Sequence, residues 1–177
     1  MLRRCLTDEQ LSTPLRVAGS LVLLYGQTPT RIVTLTRHDV TRLDGMTYIA
    51  LHRQPVLMPT RLADLVGQLG ESSSARRRPL GSGRAGSPWL FPGAHQGAGY
   101  LGTSLYEQLG LEIRPGRGAA LCDLADELPA AVLAALLGIS VDTAGRWATR
   151  QTRLDRLHRR TGRTTPRDPS RHDGDRR

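Results

Sequence analysis

The chain has 177 residues, a length that suits one domain, and a formal net charge of +9 at pH 7. A charge of +6 falls on residues 150–177, so this stretch dominates the electrostatic field. Two cysteines are too few for a disulfide framework, and no apolar run approaches the ~20 residues of a membrane span. These features exclude a disulfide-rich scaffold and a membrane-spanning protein. They favour a cytoplasmic protein. The basic charge agrees with a nucleic-acid partner, which would make the protein nucleoid-associated.

The first part of the chain predicts helices around a small β-hairpin. Residues 1–13 are expected to be ragged, and residues 14–69 to form the first half of the domain. The predicted elements are a helix over 14–26, a short helix over 29–35, strands over 47–52 and 55–58, and a helix that begins at Pro59. Residues 70–87 are rich in Gly, Ser and Arg without apolar periodicity, which predicts a flexible linker.

Residues 88–151 are expected to form the second half, with helices over 101–109 and 118–128. After Pro129, leucine and valine recur at helical spacing, which predicts a further helix, buried and ended by Gly138 in a left-handed cap. Ser140 then stands as the N-cap of a last helix. Residues 152–177 are expected to be a basic disordered tail. Its first arginines recur at spacings of three and four, so they would share one face if the last helix continued to about Arg160.

Two helices joined by a short glycine-containing turn are typical of the helix-turn-helix motif. In that motif the second helix lies in the major groove of DNA. Here the second helix would begin at Val141 and carry Arg146, Trp147 and Arg150 near its end. A pair of core helices without any role in DNA binding fits the same pattern, so both interpretations stay open.

From Val17 to Arg150 the order of segments resembles the catalytic domain of the tyrosine recombinases, the phage integrase family. The matching segments are VAGSLVLLYG, PTRIVTLTRHDV, TYIALH, PVLMP, WLFPG and the closing helices. The resemblance implies a mainly α fold with a small β-hairpin, an α+β class. Because the first predicted helix begins so near the N-terminus, we expect the family's N-terminal core-binding domain to be lacking.

In that family two arginines, a hairpin lysine, a box histidine, a later His or Trp and a C-terminal tyrosine surround the scissile phosphate. The resemblance places Thr28 at the first of the two family arginines. The positive charge of that position is lost unless Arg31 reaches into the site. The resemblance places Arg53 at the hairpin lysine, and an arginine cannot act as the acid because it stays charged.

The remaining family positions are also altered. The family's His-x-x-Arg box aligns with residues 114–117. Arg117 keeps the arginine of the box, and Arg114 replaces its histidine. Ile139 takes the position of the later histidine, and Trp147 that of the nucleophilic tyrosine. An indole has no atom that can attack phosphorus. All four tyrosines precede the box, so strand transfer would lack its nucleophile whatever the alignment.

The sequence therefore predicts a DNA-binding, integrase-like pseudoenzyme with no catalytic residue, no metal and no cofactor. Its double-stranded DNA contacts are predicted at six arginines: Arg53, Arg114, Arg117, Arg146, Arg150 and Arg153. Three degenerate active-site positions accompany them: Thr28, Ile139 and Trp147. An intact recombinase or a second copy of the chain is a further expected partner.

Two alternatives stay open beside this prediction. A helix-turn-helix regulator would read bases through residues 141–150, so that Arg146→Ala relaxes sequence preference and Arg117→Ala changes little. A protein-interaction module would pack Trp147 in its core or against a partner. An exposed last helix beside a basic groove would favour DNA binding, and a buried one the interaction module.

Overall fold

The structure is a computed structural model and describes residues 1–75, 88–91 and 97–149. It is mainly helical with one small antiparallel sheet, as the sequence predicts at the level of fold class. In chain order the elements are α1 Leu2–Thr7, α2 Thr13–Tyr25, α3 Pro29–Val33, a 3-10 turn Arg37–Asp39, β1 Val40–Leu43, β2 Met46–Ala50, β3 Pro55–Leu57, α4 Thr60–Ala75, α5 Gly97–Leu109, α6 Ile113–Glu127, α7 Ala130–Leu137 and α8 over 141–149. No helix in the described ranges is long and apolar enough to cross a membrane.

Helix α2 is the centre of the core, because most of its side chains are buried by neighbours on several sides. It packs against α1, α3, α4, α5 and α6. Val17, Ala18 and Leu21 have no exposed surface. The helix ends at Gly26, whose φ of 59° is the left-handed conformation that favours glycine. This cap turns the chain sharply into α3, as the sequence predicts.

The prediction of a ragged N-terminus is wrong, because residues 2–7 form a helix that is held by the core. The Cys5 side chain is fully buried. Arg16 of α2 donates its Nε–H to Cys5 O at 3.1 Å and its Nη2 to Leu6 O at 2.8 Å. These carbonyls lie at the C-terminal end of α1, where the helix leaves acceptors unsatisfied. A tertiary hydrogen bond therefore stabilises a helix too short to be stable alone.

The sheet has three strands in the order β1-β2-β3, one more than the predicted hairpin. The missed strand β1 pairs with β2 through a two-residue turn, Asp44-Gly45, in which both residues have positive φ. Asp-Gly between strands is the usual sequence of that turn. The central strand places Ile49 opposite both Val40 and Val56, and Ile49 is completely buried. This face closes one side of the core.

Two helix boundaries differ from the prediction. Helix α4 continues to Ala75, so the prediction of a linker is wrong for residues 70–75, and residues 76–87 lie outside the described ranges. Helix α6 begins at Ile113, so Arg114 lies in its first turn and Arg117 one turn later. The Gly138 cap is confirmed by a φ of 70°, and Ser140 is confirmed as N-cap because its Oγ accepts from the Thr143 amide at 3.2 Å. Residues 152–177 also lie outside the described ranges.

Tyr25 joins α2 to the sheet, and it makes the stability of the fold sensitive to alkaline pH. Its hydroxyl donates to Leu57 O at 3.0 Å, and burial raises the pKa of Tyr25 to about 12. The unfolded chain ionises near pH 10, so this stabilisation is complete below pH 10 and is lost as the pH rises towards 12. We expect the free energy of unfolding to fall by about 1.4 kcal/mol per pH unit in that window. Urea unfolding at pH 8, 10 and 11 measures it.

Tyr25→Phe is the matched control, because phenylalanine keeps the ring and removes the ionising group. The variant should lose about 1 kcal/mol at pH 8, the contribution of one hydrogen bond, and should show a flatter alkaline dependence. An unchanged alkaline loss in Tyr25→Phe would assign the effect to another group.

Candidate functional site

A cavity of about 370 Å³ lies where five parts of the fold meet. The end of α2, the start of α3, the turn between β2 and β3, helix α6 and the turn after α7 all line it. Its polar side chains are Gln27, Thr28, Arg31, His52 and Arg117. Its apolar wall is made by Leu51, Leu121, Leu137 and Ile139. The cavity thus combines two guanidinium groups with an apolar surface.

Arg117 is fixed in this cavity by a main-chain acceptor. Its Nε–H donates to Gly26 O at 2.6 Å, across 91 positions of sequence. The side chain is half-buried, and this burial lowers the pKa of Arg117 because it removes water from the charged form. An arginine nevertheless stays protonated at neutral pH. The group is therefore a partly desolvated cation whose Nη atoms remain for another acceptor.

Arg31 is held in a similar way on a different helix. It lies on α3, and its Nε–H donates to Leu51 O at 3.1 Å. One Nη reaches Thr34 Oγ1 at the long distance of 3.4 Å. Both arginines thus use their Nε to position the guanidinium on a carbonyl oxygen. The forked Nη groups are the part that binds carboxylate or phosphate in two parallel hydrogen bonds.

Neither cation is neutralised by an acid in the part of the chain that the structure describes. No Asp or Glu lines the cavity. The ion pair between Arg4 and Asp8, at 3.0 Å, lies outside the cavity lining. Two cations that share a small cavity repel each other and lose solvation. An anion would relieve both costs, so the arrangement favours an anionic ligand.

His52 is a cavity residue that sequence reasoning missed. It is exposed on its outer side, and its ring lies close to Gly138, where an added Cβ would be 3.0 Å from Cγ and Nδ1. Only glycine permits both this approach and the positive φ at position 138. One signal in the sequence could have found this histidine. His52 stands directly before Arg53, which was predicted as a site residue in the turn between two strands. An imidazole there can donate a hydrogen bond into the cavity.

The structure brings together some of the predicted site residues and separates others. Thr28, Arg117 and Ile139 line the same cavity, and Arg31 lines it as well. Thr28 also accepts from the Arg31 amide as the N-cap of α3. The cavity lining does not include Trp147, whose half-buried ring lies over Gly118 of α6.

The remaining predicted arginines do not line the cavity, or lie beyond the described residues. Arg53, Arg114 and Arg146 are exposed and outside the lining. Arg53 follows His52 in the strand turn, and Arg114 precedes Arg117 by about one turn of α6. Arg150 and Arg153 fall outside the described residues. The exposed guanidiniums are available to solvent and to a large ligand.

Helix α8 has the mixed exposure of a surface helix. Ala144 is fully buried, whereas Val141 is 57% exposed and Arg146 is exposed as well. Trp147 packs against the core cluster. The helix therefore presents a polar side while its tryptophan packs against the core. This geometry agrees with a DNA-reading helix and equally with a helix that only packs on the core.

No protein-family model, curated protein or solved structure matches this chain. Within the described residues, no cluster of three or more His, Cys, Asp or Glu side chains could hold a metal ion.

Proposed function

We propose that this protein binds double-stranded DNA through its phosphates, as an integrase-like protein that does not transfer strands. The observation that carries the proposal is the pair Arg31 and Arg117 in one cavity, with no carboxylate beside them in the described structure. Arginine forks match phosphate oxygens in geometry and charge. Arg53, Arg114 and Arg146 extend the cationic surface beyond the cavity. Phosphate contacts of this kind bind DNA without reading its sequence.

The tyrosines of the described structure support binding without chemistry. Tyr25 is buried, donates to Leu57 O and has a pKa raised to about 12, which makes it a poor nucleophile. Tyr100 and Tyr106 are exposed on α5, and Tyr48 lies on β2. None of the four lines the cavity. The position that the resemblance assigns to the nucleophile is Trp147.

Restoring that nucleophile is expected to restore no activity. Trp147→Tyr should form no covalent adduct with a nicked duplex substrate, because the box histidine is an arginine and position 147 faces α6 rather than the cavity. Denaturing gel electrophoresis of the protein with a labelled duplex would reveal an adduct. Trp147→Phe controls for loss of the indole. An adduct in the Tyr variant that is absent in the Phe variant would contradict the expectation that the other altered positions disable the site, and would leave Trp147 as the cause of inactivity.

The proposal is tested by the affinity of the full chain for a random duplex as a function of salt. Arg53→Ala/Arg114→Ala/Arg146→Ala removes three exposed cations that the sequence predicts as DNA contacts. Arg3→Ala/Arg42→Ala/Arg61→Ala removes three exposed cations without that prediction, with the same change in net charge. We expect the first variant to weaken binding more and to lower the salt slope by about 0.9 for each lost phosphate contact. Equal weakening by the two variants would reduce the effect to long-range charge.

A sequence-reading helix-turn-helix protein is the second candidate, favoured by the capped start of α8 at Ser140 and the exposure of Val141 and Arg146. Selection of binding sites from a random pool separates the two. The regulator predicts that Arg146→Ala relaxes the selected sequence and Arg117→Ala changes little. The phosphate-binding proposal predicts that Arg117→Ala weakens binding uniformly and that no strong consensus emerges.

A further inference from the structure

The cavity is much larger than one phosphate group requires. Its volume of about 370 Å³ falls at the lower end of the range of about 300–1,000 Å³ that small-molecule sites occupy. A site for an internal phosphate alone would need the two arginines and little else. The additional space is bounded by Leu51, Leu121, Leu137 and Ile139. These apolar side chains suit the faces of a sugar or a base.

A continuous duplex cannot enter this space, because its bases are stacked inside a rod that is wide compared with the cavity. Its phosphates could meet Arg31 and Arg117 only from the mouth of the cavity, as the proposed function requires, and its bases would stay outside. A single nucleotide at the end of a strand, or a free nucleotide, could place its phosphate on the guanidiniums and its nucleoside on the apolar wall. A terminal phosphate carries a charge of about −1.5 to −2 near neutral pH, against −1 for a phosphate within the chain. Two arginines match that higher charge.

We propose that the cavity is a site for a nucleoside monophosphate, held by Arg31 and Arg117 on its phosphate and by the wall of Leu121, Leu137 and Ile139 on its nucleoside. Gln27 and Thr28 supply further polar groups in the lining, and His52 lies at the exposed side. The proposal deepens the proposed function and rests on the same two arginines. It differs in the ligand, since a strand end or a free nucleotide is bound in place of an internal phosphate.

The test compares two forms of one duplex sequence with the full chain. A closed dumbbell, whose ends are joined by loops, has internal phosphates only and tests the proposed function. A linear form with a short overhang is prepared with a phosphate or a hydroxyl at its 5′ end, and likewise at its 3′ end. We expect a terminal phosphate at one of these ends to raise affinity about tenfold over the hydroxyl form, the effect of one charge-assisted hydrogen bond.

The gain from the terminal phosphate should disappear in Arg31→Ala/Arg117→Ala. It should also fall in Ile139→Trp, which keeps both arginines and fills the nucleoside space, and thermal unfolding verifies that each variant is folded. No gain at either end, or a gain that survives in both variants, would overturn the inference even where the dumbbell binds. Failure of the dumbbell to bind while the phosphate gain persists would overturn the proposed function and leave the inference standing.

Competition identifies the source of the nucleotide. Deoxynucleoside monophosphates should displace the phosphorylated strand at concentrations at least about tenfold lower than inorganic phosphate requires, because the nucleoside adds apolar contact. Displacement by inorganic phosphate at equal concentration would overturn nucleoside recognition. A monophosphate that binds as tightly as the strand marks a free nucleotide as the ligand, and a strand that binds more tightly marks a strand end. Both results support the site.

Discussion

Arg31→Ala/Arg117→Ala should weaken binding to a random duplex by at least about tenfold at moderate salt. The reason is that two charge-assisted hydrogen-bond donors are lost, each worth about 1.5–3 kcal/mol. Their Nε atoms already donate to Leu51 O and Gly26 O, so it is the Nη groups that a phosphate would meet. Fluorescence anisotropy with a labelled duplex over a range of salt concentrations measures the loss. The slope of log affinity against log salt should fall by about 0.9 for each contact removed.

Arg3→Ala/Arg61→Ala is the matched control, because it removes the same charge from exposed side chains outside the cavity lining. It should weaken binding by no more than the general reduction in net charge, and it should leave most of the salt slope. Thermal unfolding of both variants verifies the fold, since Arg117→Ala also removes the hydrogen bond to Gly26. Equal weakening by the two double variants would mean that the cavity holds no phosphate.

Gly26→Ala should destabilise the protein by about 2–4 kcal/mol. Two costs add at this position. The φ of 59° is unfavourable for any residue with a Cβ, and that Cβ would lie 2.8 Å from Leu121 Cγ in the core. Relief of the contact would move Leu121, a cavity residue, or the carbonyl that accepts from Arg117. We therefore expect both a lower midpoint in urea and weaker DNA binding.

Gly45→Ala separates the two costs. Gly45 has a φ of 76°, and nothing lies within 4 Å of its added Cβ. This variant should lose only the conformational cost of about 1–2 kcal/mol, and it should leave DNA affinity unchanged because Gly45 lies in the turn between β1 and β2. If Gly26→Ala were no more destabilising than Gly45→Ala, then α6 would not be packed against the end of α2 as the structure has it.

Helices with a full apolar period and an explicit end signal could be predicted from the sequence. Helix α2 ends at Gly26, and α7 ends at Gly138 before Ser140 begins α8, because these caps depend on the local preference of one residue. Helix α1 could not be predicted in this way. It is held by Arg16, eleven positions beyond Cys5, and no local pattern encodes that contact.

Strand β1 was predictable and was missed. The Asp44-Gly45 pair stands between two runs with β-branched residues, and positive φ at both positions is what such a pair supplies. The start of α6 was predicted at residue 118, five positions too late. Pro115 and two glycines obscure the helical spacing of apolar residues over its first turns. Proline is tolerated there, since the first amides of a helix have no intrahelical partner.

The residues of the candidate cavity were predictable only in part. Three positions named from the sequence line it, Thr28, Arg117 and Ile139, whereas Arg53, Arg114, Arg146 and Trp147 do not. His52 was missed because its role depends on the closeness of Gly138, 86 positions away in the chain. Periodicity and spacing report on neighbours within one element, whereas the cavity is made by several elements that meet only in the fold.

The measurement that tests DNA binding by the folded part most directly is the affinity of two forms of the protein, the full chain and a chain ending at Gln151, for the same random duplex at several salt concentrations. Residues 152–177 hold nine arginines and four aspartates, so the shorter form loses five of the nine net positive charges and keeps the cavity. We expect it to bind more weakly, with a salt slope that is reduced but not abolished. Complete loss of binding by the shorter form would contradict a DNA surface on the folded part and would assign DNA binding to the basic tail.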